Sequence, residues 1–277
     1  MNIAMIDDKI VDSNQLDRSY LDRGLYFGDG VYEVLRSYNG KIFALDDHLA
    51  RFENSLAGVE IAGIDIGQVR SRVLKAFEAA KIPNAKIYFH ITRGSGPRDH
   101  NPGLKMQPNF FLTISEIGDY SKSKINGYKV STYPDLRWKK CQIKSLNLLP
   151  NVLAKMDASK KGCDEAILVD EAGLITEGSS SAFFAVFGGV IQTAPLTANV
   201  LPSITRKYVV KAARNIGIRF IDKSISAAQA KNADEIFLGV TTKDVIPAVK
   251  FDDAVIGDGK PGPITKKLID EFIKFTK

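Results

Sequence analysis

The feature of this sequence that most constrains its fold is the grouping of short strand-like runs, with helical segments beside each group. Near the amino terminus, the apolar runs 31–38 and 41–45 flank Asn39–Gly40, which is a strong hairpin signal. Further along, four strand-like runs joined by turns form a meander, at residues 165–170, 173–178, 182–187 and 189–194. Strands that come in groups with helices alongside predict two α+β domains.

Helical spacing of apolar residues marks several of the remaining segments. We expect helices after Asp46 and at residues 68–80, 146–160, 204–215 and 263–276. Asp46 is expected to cap the first of these helices, and Ser203 to cap the fourth, which Gly217 ends. Pro150 falls early in the third helix, at a position that the first turn tolerates.

A polar segment separates the two predicted domains. The chain has 277 residues, and a domain takes roughly 150 residues, so one large or two modest domains are expected. Residues 117–127 are polar and contain two glycines, which is typical of a linker. We therefore predict a small N-terminal α/β domain at 1–117, a linker at 118–126 and a larger C-terminal domain at 127–277.

Composition excludes several classes of protein. Hydrophobic residues make up 44% and charged residues 25%, which is near the globular average and excludes a disordered or collagen-like chain. The net charge is +6, but no run of five basic residues occurs. Scattered charge of this kind favours a solvated surface with a site for an anionic small molecule, and we expect neither nucleic acid nor a membrane as a partner.

The two cysteines, Cys141 and Cys163, are too few for a disulfide framework and form no metal-binding motif. The first residues lack the basic start and apolar stretch of a signal peptide. The longest apolar stretches are too short to span a bilayer. These observations predict a protein of a reducing compartment, which we expect to be the cytoplasm.

Lys144 is a candidate nucleophile, because it lies in the apolar segment CQIKSLNLLPN where an extended run meets a helix. A lysine amine kept partly from water is suited to form a Schiff base. The alternative is a lysine whose ammonium reaches solvent along its alkyl chain, and this segment alone favours the alternative.

Glu177 stands before Gly178 and three serines. A carboxylate in this position can partner a protonated ring nitrogen, and a strand-end glutamate in a turn is an equally good interpretation. Ser203 begins a helix whose free backbone N–H groups can bind phosphate, although an ordinary helix cap is far commoner.

Further donors are scattered along the chain. Thr241 and Thr242 follow a glycine at a strand end, and Arg51 lies on the first long helix, where it pairs with a phosphate or is solvated. Arg98 and His100 flank Asp99 on a Gly/Pro loop. Two cations on a loop can bind a carboxylate, but a surface loop whose aspartate neutralises its neighbours is the commoner arrangement.

Three segments together carry a family resemblance: DRGLYFGDGVYEV (22–34), IKSLNLLPNVLAK (143–155) and ITEGSSSAFF (175–184). In this order and spacing, the chain resembles the pyridoxal-phosphate (PLP) enzymes of fold type IV along nearly its whole length. The TRGxxPRxH loop and the IKSLNLL segment are most similar to the branch that acts on D-amino acids. The resemblance implies a small α/β domain followed by a larger, barrel-like C-terminal domain with helices.

The resemblance also implies roles for single residues in cofactor binding. Lys144 holds PLP covalently and moves the proton, and Glu177 pairs with the pyridinium nitrogen. Leu201 packs against the ring, and Arg137 lies near the cofactor's phenolic oxygen. The phosphate is held by Arg51, Ile204, Thr205 and Thr241.

For the substrate, the resemblance implies a clamp of Tyr32, Arg98 and His100 on the α-carboxylate, with Thr242 nearby. The loop carrying Arg98 and His100 reaches in from a partner subunit, so a homodimer is expected. The implied reaction is transamination between a D-amino acid such as D-alanine and a 2-oxo acid such as 2-oxoglutarate, in a ping-pong cycle through pyridoxamine phosphate. A branched-chain L-aminotransferase, an (R)-amine transaminase and an aminodeoxychorismate lyase remain alternatives on the same fold.

Overall fold

The computed structural model describes residues 2–103 and 106–277. Strands and helices are mixed along the chain, as the α+β prediction requires. The α-helices are α1 (Arg23–Phe27), α2 (Leu45–Gly58), α3 (Ile66–Ala80), α4 (Ser121–Asn126), α5 (Leu149–Lys160), α6 (Ile204–Asn215), α7 (Ala227–Ala230) and α8 (Pro263–Lys274).

The strands form three sheets. A two-stranded sheet joins β1 (Ile3–Ile6) and β2 (Lys9–Asp12). A four-stranded sheet has the order β4-β3-β5-β6, from β3 (Gly30–Tyr38), β4 (Lys41–Ile42), β5 (Ala85–Thr92) and β6 (Asn109–Glu116). The remaining strands form a nine-stranded sheet: β7 (Tyr128–Pro134), β8 (Glu165–Val169), β9 (Ile175–Gly178), β10 (Ala182–Phe187), β11 (Val190–Thr193), β12 (Phe220–Asp222), β13 (Glu235–Val240), β14 (Asp244–Phe251) and β15 (Ala254–Val255).

The four-stranded sheet is antiparallel and buries one face against α2 and α3. Alternation along β3 sends Val31 and Leu35 into this core, while Tyr32 and Val34 point to the opposite face. From α2, Phe52 enters the same core and lies edge-on to Phe89 of β5. The face of β3 that carries Tyr32 is thereby left free to form one wall of a cavity.

The nine-stranded sheet curls into a half-barrel, with the order β12-β11-β10-β13-β14-β7-β8-β9 and β15 beside β14. Its middle strands β14, β7 and β8 pair in parallel, and its other pairings are antiparallel except β11 with β12. Helices α6 and α8 cover one face, where Phe184 and Phe237 stack with ring centres 4.7 Å apart. The other face has its own apolar core, so most of the sheet is buried on both sides.

The segment before α5 connects the two larger sheets. The Leu146 N–H donates to the Gly30 carbonyl at 3.0 Å, and the Tyr32 N–H donates to the Lys144 carbonyl at 3.0 Å. Ile143 packs into the core beside α2. A side chain at Gly30 would collide with the Ile91 carbonyl and with Leu146, so this close approach requires glycine. Lys144 is thus held against β3, between the two sheets.

The predicted helices are present, and their starts differ in places. Asp46 does not cap the first helix, because Ala44 occupies the N-cap and Asp46 lies in the first turn, paired with Arg70. The helix predicted at 146–160 is α5, and it begins at Leu149 because the hydrogen bonds to β3 keep residues 144–146 out of the helix. Pro150 lies in the first turn, as expected.

The predicted linker 118–126 contains the short helix α4, which packs against β14. The proposed domain boundary therefore falls on an ordered helix. Among the described residues, every helix is too short or too polar to cross a bilayer.

Candidate active site

A cavity of about 600 Å³ lies between the free face of β3 and the half-barrel. Its walls come from β3, α2, the segment before α5, β9, the start of α6 and the turn between β13 and β14. Eight of the predicted site residues line it: Tyr32, Arg51, Arg137, Lys144, Glu177, Leu201, Thr241 and Thr242. Residues from distant parts of the chain are therefore brought into one cavity.

Lys144 is half-buried in the wall formed by β3. Its Nζ donates to the Tyr32 hydroxyl at 3.2 Å and lies 4.3 Å from the centre of the Tyr32 ring. Its backbone N–H donates to Ser55 Oγ of α2 at 3.1 Å. The amine is thus fixed beside a hydroxyl group, with its backbone anchored on both sides.

Glu177, on β9, is another residue that lines the cavity. Its Oε1 accepts from the Leu201 N–H at 3.1 Å and from Arg137 Nη1. Arg137 also donates twice to Asp135, from Nε and Nη2, both at 2.8 Å. Burial raises the pKa of Glu177, and the neighbouring guanidinium opposes that rise. A cationic ring nitrogen at this carboxylate would further favour its ionised form.

Arg51 is held at another wall by a buried carboxylate. Its Nε and Nη2 donate to Glu33 at 2.7 and 2.8 Å, and its Nη1 donates to the Pro202 carbonyl at 3.1 Å. His48 Nδ1 also contacts Glu33, at 2.7 Å. Burial by itself would raise the pKa of Glu33, but Arg51 and His48 outweigh it and lower the pKa to about 2. Glu33 is therefore an anion that fixes the orientation of Arg51.

The start of α6 lies beside Arg51, since Pro202 immediately precedes the helix cap. Ser203 caps the helix as predicted, and its side chain accepts from the Arg206 N–H at 3.1 Å. Ile204 and Thr205 form the first turn, and their side chains are buried. The N–H groups of a first helical turn and a guanidinium together make an anion-binding site.

The residues present fit pyridoxal phosphate. The cavity is lined by the amine of Lys144, the carboxylate of Glu177 and Ser203, the cap of a helix whose first N–H groups can bind phosphate. The aldehyde, the ring nitrogen and the phosphate of the cofactor require these three kinds of group. Ser181 also lines the cavity, and its buried Oγ has no hydrogen-bond partner among the described residues. An unsatisfied buried hydroxyl in the wall is consistent with a polar ligand.

The predicted substrate clamp is divided in space. Tyr32 lines the cavity, whereas Arg98 and His100 are exposed and are not among its lining residues. Both side chains lie against Phe27, 5.1 and 5.4 Å from its ring centre. Arg23 donates to the backbone carbonyls of Asp99 and His100. These hydrogen bonds hold the loop at the surface, away from its own cavity.

Sequence reasoning missed the carboxylates that hold the arginines. Glu33 lies between Val31 and Leu35 on the buried face of β3. A charged residue at a buried position of a strand predicts a partner of opposite charge, so this signal was available in the sequence. Asp135 lies two residues before Arg137, and this spacing does not predict that the two side chains pair.

The chain is similar to known proteins along nearly its whole length. A family model for amino-transferase class IV matches residues 30–251. D-alanine aminotransferase of Bacillus licheniformis is 37% identical over 269 residues, which cover 96% of this chain and 94% of the relative.

Two solved structures share the fold. Branched-chain amino acid aminotransferase of Escherichia coli superposes with a TM-score of 0.87 at 23% identity, over 97% of this chain and 92% of that one. The branched-chain aminotransferase of the archaeon Thermoproteus uzoniensis, solved with norvaline, gives a TM-score of 0.84 at 26% identity, over 97% and 92%.

The half-barrel fold, the donors that line its cavity and the family model together define a PLP-dependent enzyme of fold type IV. Within that class, the chain belongs to the amino-transferase class IV family, whose model covers most of its length. The protein is therefore an aminotransferase, and PLP is its cofactor.

Proposed function

We propose that the protein transfers the amino group between a D-amino acid, such as D-alanine, and a 2-oxo acid, such as 2-oxoglutarate. The observation that carries the proposal is the 3.2 Å contact between Lys144 Nζ and the Tyr32 hydroxyl. It sets the base beside the group expected to bind the substrate α-carboxylate. The D-alanine aminotransferase relative, at 37% identity, supports this specificity.

Each wall of the cavity has a part in the reaction. Arg51, the N–H groups of Ile204 and Thr205, and Thr241 would hold the phosphate, and Leu201 would pack on the ring. When bound, PLP supplies a protonated ring that withdraws electrons from the substrate Cα. The Glu177 carboxylate keeps the ring nitrogen protonated, since an adjacent anion favours the charged form.

Lys144 is the proton carrier of the proposed reaction. Its Nζ would accept the proton from the substrate Cα as a positioned general base, and the resulting ammonium would then donate that proton as a general acid. Arg137 holds Glu177 and Asp135 together, so the charge next to the ring nitrogen is fixed in place. The anchored backbone of Lys144 keeps its amine on one face of the cavity.

We propose a homodimer in which Arg98 and His100 complete the partner's site. Their loop is exposed and lies outside its own cavity, which supports action on another chain. Helix α5 supports it too, because its apolar residues Leu149, Val152 and Met156 are 69%, 48% and 49% exposed. Val152 and Met156 also line the cavity, so a chain that covered this face would reach the substrate.

We also propose that residues 1–117 and 127–277 are the two structural domains, joined at 118–126, and that the protein is cytoplasmic. Separate sheets before and after α4 support the first proposal. The two free cysteines are consistent with the second.

The proposed function is tested by visible absorbance of the purified protein with PLP. D-alanine, L-leucine and (R)-1-phenylethylamine are added in separate cuvettes, and pyruvate release from aminodeoxychorismate is assayed in parallel. Bleaching of the cofactor band by D-alanine alone is the expected result. Bleaching by L-leucine or by the amine alone, or pyruvate release, would assign the protein to the corresponding alternative.

A further inference from the structure

The short helix α4, in the segment predicted as a linker, is tied to the turn that carries Thr241 and Thr242. Lys124 Nζ donates to Asp244 Oδ2 at 2.7 Å. Asp244 is the first residue of β14 and pairs with Val240 across the turn. The ion pair therefore joins α4 to the end of the hairpin that forms one wall of the cavity.

A second contact ties the same turn to the segment around α4. Lys243 Nζ donates to the Tyr128 hydroxyl at 2.8 Å and lies 5.0 Å from the centre of the Tyr120 ring. Tyr120 immediately precedes α4, and Tyr128 follows it by two residues. The charged side chain of the turn is thus held by aromatic residues on both flanks of the helix.

The first domain holds the turn from the other side. Arg36 Nη1 on β3 donates to the Thr242 carbonyl at 2.9 Å and to Asp244 Oδ1 at 3.1 Å. The Tyr38 hydroxyl donates to the same carboxylate oxygen. Asp244 is 5% exposed and has a φ of 65°, a strained value for a residue with a side chain. Three donors from two segments hold this strained residue in place.

We propose that Asp244 is a positioning residue and that Lys124 acts through it, by holding its carboxylate in place. Together they fix the turn at 240–244, so that the donors of Thr241 and Thr242 face the phosphate and the substrate. The inference rests on the proposed function, since it assigns the turn to the cofactor. Freeing the turn lowers the affinity for PLP, because the turn must then be ordered on binding.

The experiment compares Lys124→Met with Lys122→Met, a change at an exposed lysine of the same helix. PLP is titrated into the apoprotein of each variant, and the dissociation constant and the melting temperature are measured. Lys124→Met is expected to raise the dissociation constant about tenfold, the effect of losing one hydrogen bond between charged groups. Lys122→Met keeps the wild-type value, and Lys124→Arg restores most of the affinity.

Equal dissociation constants for the Lys124→Met and Lys122→Met proteins would overturn the inference. A loss of affinity that Lys124→Arg does not restore and that follows the melting temperature would overturn it as well. If Lys124→Met does not fold, Lys124→Gln carries the same test, because it removes the charge that pairs with Asp244 and keeps a polar side chain. Weaker PLP binding is then expected, and wild-type affinity is the contrary result. Absence of PLP binding by the wild-type protein would overturn the proposed function instead.

Discussion

Glu33 of β3 and Arg51 of α2 form a doubly hydrogen-bonded ion pair, with N–O distances of 2.7 and 2.8 Å and Glu33 fully buried. An anion close to a phosphate site would ordinarily repel the ligand. Here Glu33 fixes the guanidinium of Arg51, which we propose as a phosphate ligand, and Arg51 balances the charge of Glu33 before any phosphate binds.

Replacing Glu33 by Gln removes the charge and leaves Arg51 buried without its counter-ion. We expect the free energy of unfolding to fall by about 3 kcal/mol and the dissociation constant for PLP to rise at least about tenfold. Denaturant unfolding and a PLP titration measure the two effects. Glu53→Gln, an exposed change on α2, is the control, and equal behaviour of the two variants would contradict the prediction.

His48 makes the folded protein sensitive to mild acid. Burial lowers its pKa, although Glu33 acts in the opposite direction, so the folded protein keeps the ring neutral below the ordinary value of 6.5. The unfolded chain then binds more protons than the folded one, and stability is lost as the pH falls below 6.5. His48→Gln is expected to flatten this part of the stability profile, measured by urea unfolding at several pH values. The exposed His100→Gln control should leave it unchanged, and an equally steep profile in both variants would disprove the role of His48.

Lys144 is expected to be indispensable. Lys144→Ala removes the proton carrier, and the rate of transamination should fall by at least about a thousandfold, within the range of general acid–base catalysis. A coupled assay of pyruvate formed from D-alanine measures the rate. Lys140→Ala changes an exposed neighbour and should retain turnover. Near-normal activity of the Lys144→Ala protein would remove the central residue of the proposal.

The position of Arg98 outside its own cavity predicts complementation between two inactive variants. Lys144→Ala and Arg98→Ala proteins are each expected to be inactive when pure. After mixing and subunit exchange, about a quarter of wild-type activity should return, because half of the dimers are hybrids with one intact site each. If each loop served its own chain, the mixture would stay inactive.

Local patterns were enough to predict most of the elements. The alternation of β3 and the apolar spacing of α2 are short-range signals, and both elements formed where they were predicted, apart from helix starts. The start of α5 was wrong because hydrogen bonds from β3 hold the residues before it. The parallel pairing of β7 with β14 joins segments far apart in the chain, and no local signal encodes it.

The residues that line the cavity were predictable from the sequence, whereas the residues that support them were not. Eight residues named from the sequence line the cavity, since family motifs mark positions that face a ligand. Their supports were not predicted, because the role of Asp244 depends on three donors that only the folded chain brings together. The polar composition of residues 118–126 predicts a linker and gives no indication of the contact that α4 makes with Asp244.

The cavity takes its walls from positions as far apart in the chain as Tyr32 and Lys243. During synthesis, β13 and β14 are among the last strands to be made. Until then the turn between them is absent from the cavity wall, and the edge of β7 that pairs with β14 has no partner. Pairings between distant segments also form slowly. The cavity wall at 240–243 therefore exists only in a nearly complete polypeptide. Chains truncated before β13 are expected to expose an unpaired strand edge, a known cause of aggregation.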